Sequence, residues 1–550
     1  MRRTALALVL LAVAPATALA HPERTTFFPD HTKGSRPALQ PTKGEAHVVC
    51  KSDSRQRILE SWAGKGAKRA KERRRNLRRL KACKFEHIQQ AVDAASSGDR
   101  ILIMPGVYRE EPSRAVKLND PKCMGEGFWE ETGDGHGEKP EGQERTAVSQ
   151  AREQGFVPTY KFQATCPNAR NLIAIIGDSL EDPDRVCDQK CGLQLIGTGR
   201  KARDVLIEGD RLKKDVIRAD RADGIVIYNL TTEEGSFNNI DVVETNGFLI
   251  QKVVARWGKN YGVLTFTSDN GLYDKVEAYG NGDSGIYPGS GPEGGCKRYG
   301  IEIRNSESRG NVLGLSGTAG NGTWTHNTRF VDNAAGVIND SFASGHPGMP
   351  QDCSKWTDNI IASNNFNPFE DSNERYCNST PFEQRRQDVV CPQFQVPVGT
   401  GLALYGANRN IVEDNRIYDN WRSGIRLFYV PATIRGDDEP EKQFDTSNGN
   451  RFANNTMGIA PDGSDAFNGV DLVWDEQGIG NCWEGNRAPA SRGLTSQPEL
   501  MPKCGNGGSR STQPNPETAG REVPCATWDP QENPDPPGCT WFQTPPKPTK

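Results

Sequence analysis

Short apolar strands preceded by glycine recur through the middle of this 550-residue chain. Gly224-Ile-Val-Ile, Gly262-Val-Leu, Gly285-Ile-Tyr, Gly336-Val-Ile, Gly401-Leu-Ala-Leu and Gly424-Ile-Arg-Leu form one series. A second runs between them: Val253-Val-Ala255, Val276-Glu-Ala278, Ser306-Glu-Ser308, Thr328-Arg-Phe330 and Asn415-Arg-Ile417. The steps from Val253 to Val276 and from Gly262 to Gly285 are both 23 residues. A period in the twenties made of short strands and tight turns predicts a solenoid, whose coils bury their inward residues only by stacking on one another. Helical periodicity and leucine-rich consensus positions are absent from the repeats, so the coils are read as β. A chain that is 35% hydrophobic with 58 Gly and 36 Pro suits such a turn-rich, all-β body.

The stretch Tyr279-Gly-Asn-Gly-Asp-Ser-Gly-Ile-Tyr-Pro288 contains a literal G-x-G-x-x-G, the spacing of a dinucleotide cradle. That use requires a helix directly after the glycines, with its amides aimed at phosphate. The chain continues instead as Gly289-Ser-Gly-Pro-Glu-Gly-Gly295, which no helix accommodates. The stretch also aligns with Ile417-Tyr-Asp-Asn-Trp-Arg-Ser-Gly-Ile425, where Asp419 and Trp421 replace two of the glycines, and with Phe330-Val-Asp-Asn-Ala-Ala-Gly-Val337. The recurrent element is a corner of Asn and Gly, residues that accept positive φ. No nucleotide cofactor is expected, and the columns through Asn281, Asn333 and Asn420 read as structural.

At the N-terminus Arg2 and Arg3 precede an apolar run from Ala5 to Val13, and Ala18-Leu-Ala20 supplies a small-x-small cleavage site. Residues 1–20 are read as a secretory signal peptide and the protein as secreted. No other stretch reaches the roughly 18 apolar residues of a membrane span. Fourteen cysteines suit an oxidising compartment, and Cys187 with Cys191 is expected to form a disulfide rather than a zinc site. Between Lys65 and Lys84 eleven Lys or Arg stand against one acid, Glu72. This run can bind a polyanion or be a solvated helix, and with no interleaved aromatic it carries no expectation of nucleic acid. The organisation expected is an extension over 21–84, a solenoid over 85–490 with an insertion at about 112–168, and a Pro/Gly-rich segment over 491–550 whose final "PPKPTK" is disordered.

The entry segment Ile88-Gln89, Ala91-Val92, Ala94-Ala95, Gly98-Asp99, Ile101, Pro105-Gly106 and Tyr108, together with the Gly-Ile and Asn-corner repeats after it, resembles the right-handed parallel β-helix (pectin lyase-like) superfamily, especially its secreted bacterial members with parallel β-helix repeats. The likeness spans Cys83 to Asn486. It implies a right-handed parallel β-helix with a short N-terminal capping helix over Phe85 to Ala95 and disulfide-stapled irregular loops. Superfamily members include polysaccharide lyases, hydrolases, epimerases and non-catalytic binders, so fold alone does not select among them. The catalytic signatures of polygalacturonases fall out of place here, with Gly135-His136-Gly137 in the insertion and Asp437-Asp438 in a late loop. The Asp-Pro-His-Asp of mannuronan epimerases is absent, and no catalytic residue is carried over.

Strand alternation nominates a surface. With Val253, Ala255, Val276, Ala278, Ser306, Ser308, Thr328, Phe330, Asn415 and Ile417 inward, one face is expected to present Lys252, Arg256, Lys275, Glu277, Tyr279, Glu307, Arg309, Arg329, Arg416 and Tyr418. Cations on such a strip hold uronate or sulfate groups, Tyr rings pack on sugars, and carboxylates serve as acid, base or calcium ligands; no particular metal is specified. For uronate β-elimination, Arg309 or Arg329 neutralises the carboxylate and Lys275 removes the proton. Glu277 and Glu307 are the pair for a glycosidase. Asp283 is expected as a loop carboxylate in substrate binding, and His326 and His346 as turn residues. Two functions stay open: a lyase, glycosidase or epimerase acting on an anionic polysaccharide, and a non-catalytic extracellular carbohydrate- or matrix-binding protein.

Overall fold

The computed structural model describes residues 24, 26–39, 44–116, 123, 127–129, 156–179, 187–342, 346–435, 437, 439–526 and 539–549. The signal peptide, most of the expected insertion, and the Gly135-His136-Gly137 and Asp438 positions lie outside them.

One coil shows how the sequence folds. Asn238–Val243, Asn246–Gln251 and Val254–Arg256 are three successive strands, and each pairs in parallel with the strand 23 residues further on: Val263 stacks on Ile240, Leu272 on Leu249 and Ala278 on Ala255. Repeated along the chain, this builds 13-, 11- and 10-stranded sheets that stack around one core. The fold is a right-handed parallel β-helix, the hand that parallel crossovers take almost without exception. Every residue expected to point inward is buried, from Val253 and Ala255 to Asn415 and Ile417.

The corners are held by asparagine. Asn281 donates to Asn311 (2.9 Å), Asn311 to Asn333 (3.1 Å), Asn333 to Asn364 (3.0 Å), Asn364 to Asn420 (3.0 Å) and Asn420 to Asn468 (3.1 Å). Each Oδ1 also takes the backbone N–H of the previous Asn, so the column satisfies turn amides from coil to coil, as read from the sequence. The literal G-x-G-x-x-G is explained by the same corner. Gly280 has φ 71°, and its counterparts Asp332 and Asp419 hold φ 57° and 53°. At Gly285 a side chain would meet Ser308 Oγ at 2.0 Å.

The N-terminal end is closed by α3 (Ile88–Ala94), with Ile88, Ala91 and Val92 buried. The carboxylate of Glu110 accepts the amides of Ile88 and Gln89 at 2.8 and 2.9 Å. The basic run is helical, α2 (Ala67–Leu80), and packs with α1 (Ser54–Ser61) over the first strands. Ala46–Val49 is inserted in parallel between Cys83–Phe85 and Arg100–Ile103, so part of segment 21–84 is built into the solenoid itself.

Seven disulfides use all fourteen cysteines, Cys187–Cys191 among them. The C-terminal tail departs from expectation. Cys525–Cys539 and the buried Trp541 anchor it, Val398 N donates to Trp541 O (3.0 Å), Arg422 donates to Gln543 O (3.0 Å), and Lys547 sits over the Trp421 ring. Two aromatic anchors and a staple order a segment whose composition alone reads as disordered.

Candidate functional site

The strip nominated from sequence lies on the outer face of the 10-stranded sheet. Its registers form two columns. One runs Glu277, Glu307, Arg329, Ile360, Arg416 and the other Arg256, Tyr279, Arg309, Val331, Ala362, Tyr418. The first coils make a charge ladder: Arg256 to Glu233 (2.6 Å), Arg309 to Glu277 (2.8 Å) and Glu307 (3.1 Å), Arg329 to Glu307 (3.0 Å), and Arg203 to Glu277 (2.8 Å). Tyr279 accepts from Arg256 (2.8 Å) and lies under the Arg309 guanidinium at 4.3 Å. The strip is not continuous, because the coil with Ile360 and Ala362 separates Arg416 and Tyr418 from the rest. Arg416 donates to the carbonyls of Ile459 and Ala460. Lys275 sits off the columns, exposed at a left-handed corner (φ 59°) two residues before Glu277.

Glu208, Asp210 and Glu234 bring carboxylate oxygens within 4.8 Å of one another. Each already has its own arginine, Arg109 (2.8 Å), Arg114 (2.5 Å) and Arg211 (3.0 Å), so the trio is electrically balanced by the protein.

Asp283 is found elsewhere. It stands on the 11-stranded sheet, 3% exposed, against the expectation of an open loop carboxylate. The reason is the adjoining strand: Ser284–Gly289 is buried on both faces, and the residue before its first rung is carried under cover with it.

The outer face of that sheet holds groups that strand alternation did not single out. Tyr261 and Tyr287 occupy adjacent coils, ring centroids 4.8 Å apart. The Tyr261 phenol donates to Asp283, which also accepts from Ser284 Oγ at 2.8 Å. Tyr287 Oη lies 3.2 Å from His346 Nε2, and the imidazole packs on Phe266 at 5.3 Å. Next to them Asp340 accepts from Thr318 Oγ1 (2.9 Å) and Phe342 N (3.0 Å). Burial pushes Asp283 up to about 7 and Asp340 up to about 6, each also raised or eased by its neighbours, while both phenols are driven well above the ordinary tyrosine value. At one end of the same face Arg218, 1% exposed, is held by Asp241 (2.6 Å), Asp220 (3.1 Å) and Asp215 (3.5 Å).

His346 therefore is not a free turn residue, although its loop is a turn: Asn321 Nδ2 donates to Gly348 O at 2.6 Å, and Phe28 packs against Gly348. His326 belongs to a different face, stacked on Trp324 at 4.2 Å and paired with Glu302 at 3.1 Å.

No protein-family model matches the chain, and no curated protein sequence is similar to it. Solved structures similar to it include the A-module of mannuronan C-5 epimerase AlgE6 from Azotobacter vinelandii, at 14% identity over 73% of this chain and 94% of that one with a TM-score of 0.35. Pectate lyase Pel9A is similar at 11% identity over 83% and 79% of the two chains, with a TM-score of 0.35. The periplasmic alginate epimerase AlgG is similar at 10% identity over 54% and 77%, with a TM-score of 0.30. These are distant likenesses, and the fold assignment stands on the strand registers. Among the described residues no helix is long and apolar enough to cross a membrane.

Proposed function

We propose that the protein is exported, binds a linear acidic polysaccharide, and moves a proton at the sugar carbon bearing the carboxylate, using the outer face of the 11-stranded sheet. The observation that carries this reading is the pair of neighbouring acid–base couples, Tyr261 with Asp283 and Tyr287 with His346. Seven disulfides support the exported destination.

The chemistry asks for three functions. A carbon acid beside a carboxylate becomes reactive once that carboxylate's charge is neutralised, and Asp283, near half-protonated at neutral pH, supplies a hydrogen-bond donor for it. His346 then takes the proton as the C–H bond breaks. In β-elimination the electron pair forms the ring double bond, the neighbouring C–O bond breaks, and a tyrosine phenol gives its proton to the departing oxygen. In epimerisation no C–O bond breaks and a phenol returns a proton to the opposite face of the carbon. Elimination is the leading reaction. Asp283, Tyr287, His346 and Asp340 are at most 4% exposed, so a substrate reaches them only when the segments packed over this face move aside.

A second placement of the same reaction uses Lys275 as base with Arg309 or Arg329 neutralising the uronate, and the exposure of Lys275 favours it. The non-catalytic alternative, a carbohydrate-binding protein, is favoured by the closed state of the buried couples and by the ion pairs that occupy the ladder arginines. Incubation with alginate, polygalacturonate and other uronic-acid polymers in D2O tests all three. Deuterium entry at the carboxylate-bearing carbon reports epimerisation, ultraviolet absorbance of unsaturated ends reports elimination, and His346→Ala against Lys275→Ala assigns the base. Binding with neither deuterium entry nor unsaturated ends across the panel leaves the non-catalytic reading.

A further inference from the structure

The cationic helix α2 has one face turned into the protein and one left over. Asn76 donates to Thr198 O at 2.9 Å, and Leu77 and Leu80 pack on Val48, Ile58, Leu102 and Met104. On the opposite side Lys71, Arg74, Arg78 and Lys81 are exposed and have no ion pair among the described residues. Their spacing sets them in one stripe about 15 Å long at about 1.5 Å per residue. The helix's one acid, Glu72, is committed to Arg75 at 3.2 Å.

Like charges three and four residues apart disfavour a helix by a few tenths of a kcal/mol per pair. The C-terminal end of the helix dipole favours Arg78 and Lys81, but no ion pair among the described residues neutralises the four cations, and an external anion is their complement. Further cations lie on the loop beside α1 and α2. Arg200 N donates to Ser61 Oγ of α1 (2.9 Å), Lys201 stands next to it in solvent, and Arg203 reaches Glu277 (2.8 Å) at the first rungs of the ladder. Exposed cations thus also lie on the loop that α1 and the Asn76 side of α2 touch, between these helices and the 10-stranded sheet.

We propose that the α2 stripe, with Arg200 and Lys201, is an accessory docking site for a linear anionic polysaccharide, one that grips the chain beyond the part reaching the solenoid. The proposal takes its polymer class from the function proposed above but not its catalytic step. Two observations select polysaccharide over other polyanions. The stripe has no aromatic on which bases stack. Its apolar side chains are spent inward, leaving none to enter a bilayer interface.

The test uses the full secreted chain and fluorescein-labelled alginate, polygalacturonate and heparin fragments, with duplex DNA and phosphatidylglycerol vesicles as competitors. Binding is monitored by anisotropy across a salt series. The quadruple variant Lys71→Gln, Arg74→Gln, Arg78→Gln, Lys81→Gln is expected to bind at least tenfold more weakly at low salt. Its log–log salt slope is expected to fall by about 3, near 0.7 for each of the four lost contacts, as for a single-stranded polyanion. Far-UV circular dichroism, expected to be unchanged, shows that the fold persists. Wild-type-like affinity in this variant would overturn the proposal, as would tighter binding of DNA or vesicles than of polysaccharide at matched charge and salt. Loss of unsaturated ends or deuterium entry in His346→Ala with retained binding separates the two claims, since the docking site survives failure of the catalytic one.

Discussion

Asp283 makes the protein's stability depend on pH in a direction opposite to that of most carboxylates. Burial lifts its pKa from 3.8 to about 7, only partly eased by the Ser284 and Tyr261 hydroxyls, and nearby Asp340 adds to the rise. The folded state therefore holds its proton when the unfolded chain has already lost it. A group of this kind gives its full stabilisation below the unfolded pKa, near 4, and loses it as pH rises through the folded value. With these two values, linkage predicts that the Asp283 contribution falls by roughly 2–3 kcal/mol between pH 5 and pH 8, most of the roughly 4 kcal/mol that a shift of this size allows. Other buried carboxyls titrate over the same range, among them Asp340 (about 6), Asp475 (about 7) and Glu110 (about 7), so the wild-type profile is their sum. The Asp283→Asn variant isolates one of them. Its amide cannot ionise, and although its absolute stability changes through the altered bonds to Ser284 and Tyr261, its pH slope must be shallower. Urea unfolding of both proteins at half-unit steps from pH 5 to pH 8 is expected to show wild-type stability falling relative to the variant as pH rises. Parallel curves, a constant offset at every pH, would refute the assignment of a raised pKa to Asp283 and with it the view that this carboxyl is a proton donor near neutrality.

Asn333→Ala removes the acceptor for the Asn311 backbone amide and the donor to Asn364, leaving buried groups unpaired, and should cost about 3–5 kcal/mol by denaturant unfolding at about 1–3 per orphaned group. Asn333→Asp should do no better, because a carboxylate cannot donate to Asn364 Oδ1, Ser308 O or Val331 O. Gly285→Ala drives a methyl onto Ser308 Oγ and should lower the midpoint markedly, with partial recovery in the Gly285→Ala, Ser308→Ala double variant. Arg309→Ala should change stability by less than about 1 kcal/mol, since its pairs are partly exposed, yet weaken polysaccharide binding in the anisotropy assay.

The inward half of this protein was legible in its sequence because stacking leaves it no choice. A coil buries only what points inward, so Val253, Val276, Ser306, Thr328 and Asn415 repeat the same parity, and the 23-residue step survives wherever no loop intervenes. The corner asparagines were legible for the same reason, each answering the amide of its neighbour on the next coil. The couples on the 11-stranded sheet were not. Alternation marks a surface only where one side of a strand meets water, and Tyr261–Phe266 and Ser284–Gly289 are covered on both sides, which removes the contrast. His346 adds a further obstacle, since it comes from a loop 59 residues after Tyr287 and no local spacing links the two. A usable signal was nevertheless present: Tyr287 lies in register with Leu264 and Tyr261 with Asn238, and both phenols are covered. A phenol placed on an apolar, covered face requires a polar partner there. That requirement leads from Tyr261 to Asp283, so the Asp of the G-x-G-x-x-G stretch is bound to a tyrosine one coil away, and the stretch bears on chemistry through its acid while its glycines serve the corner.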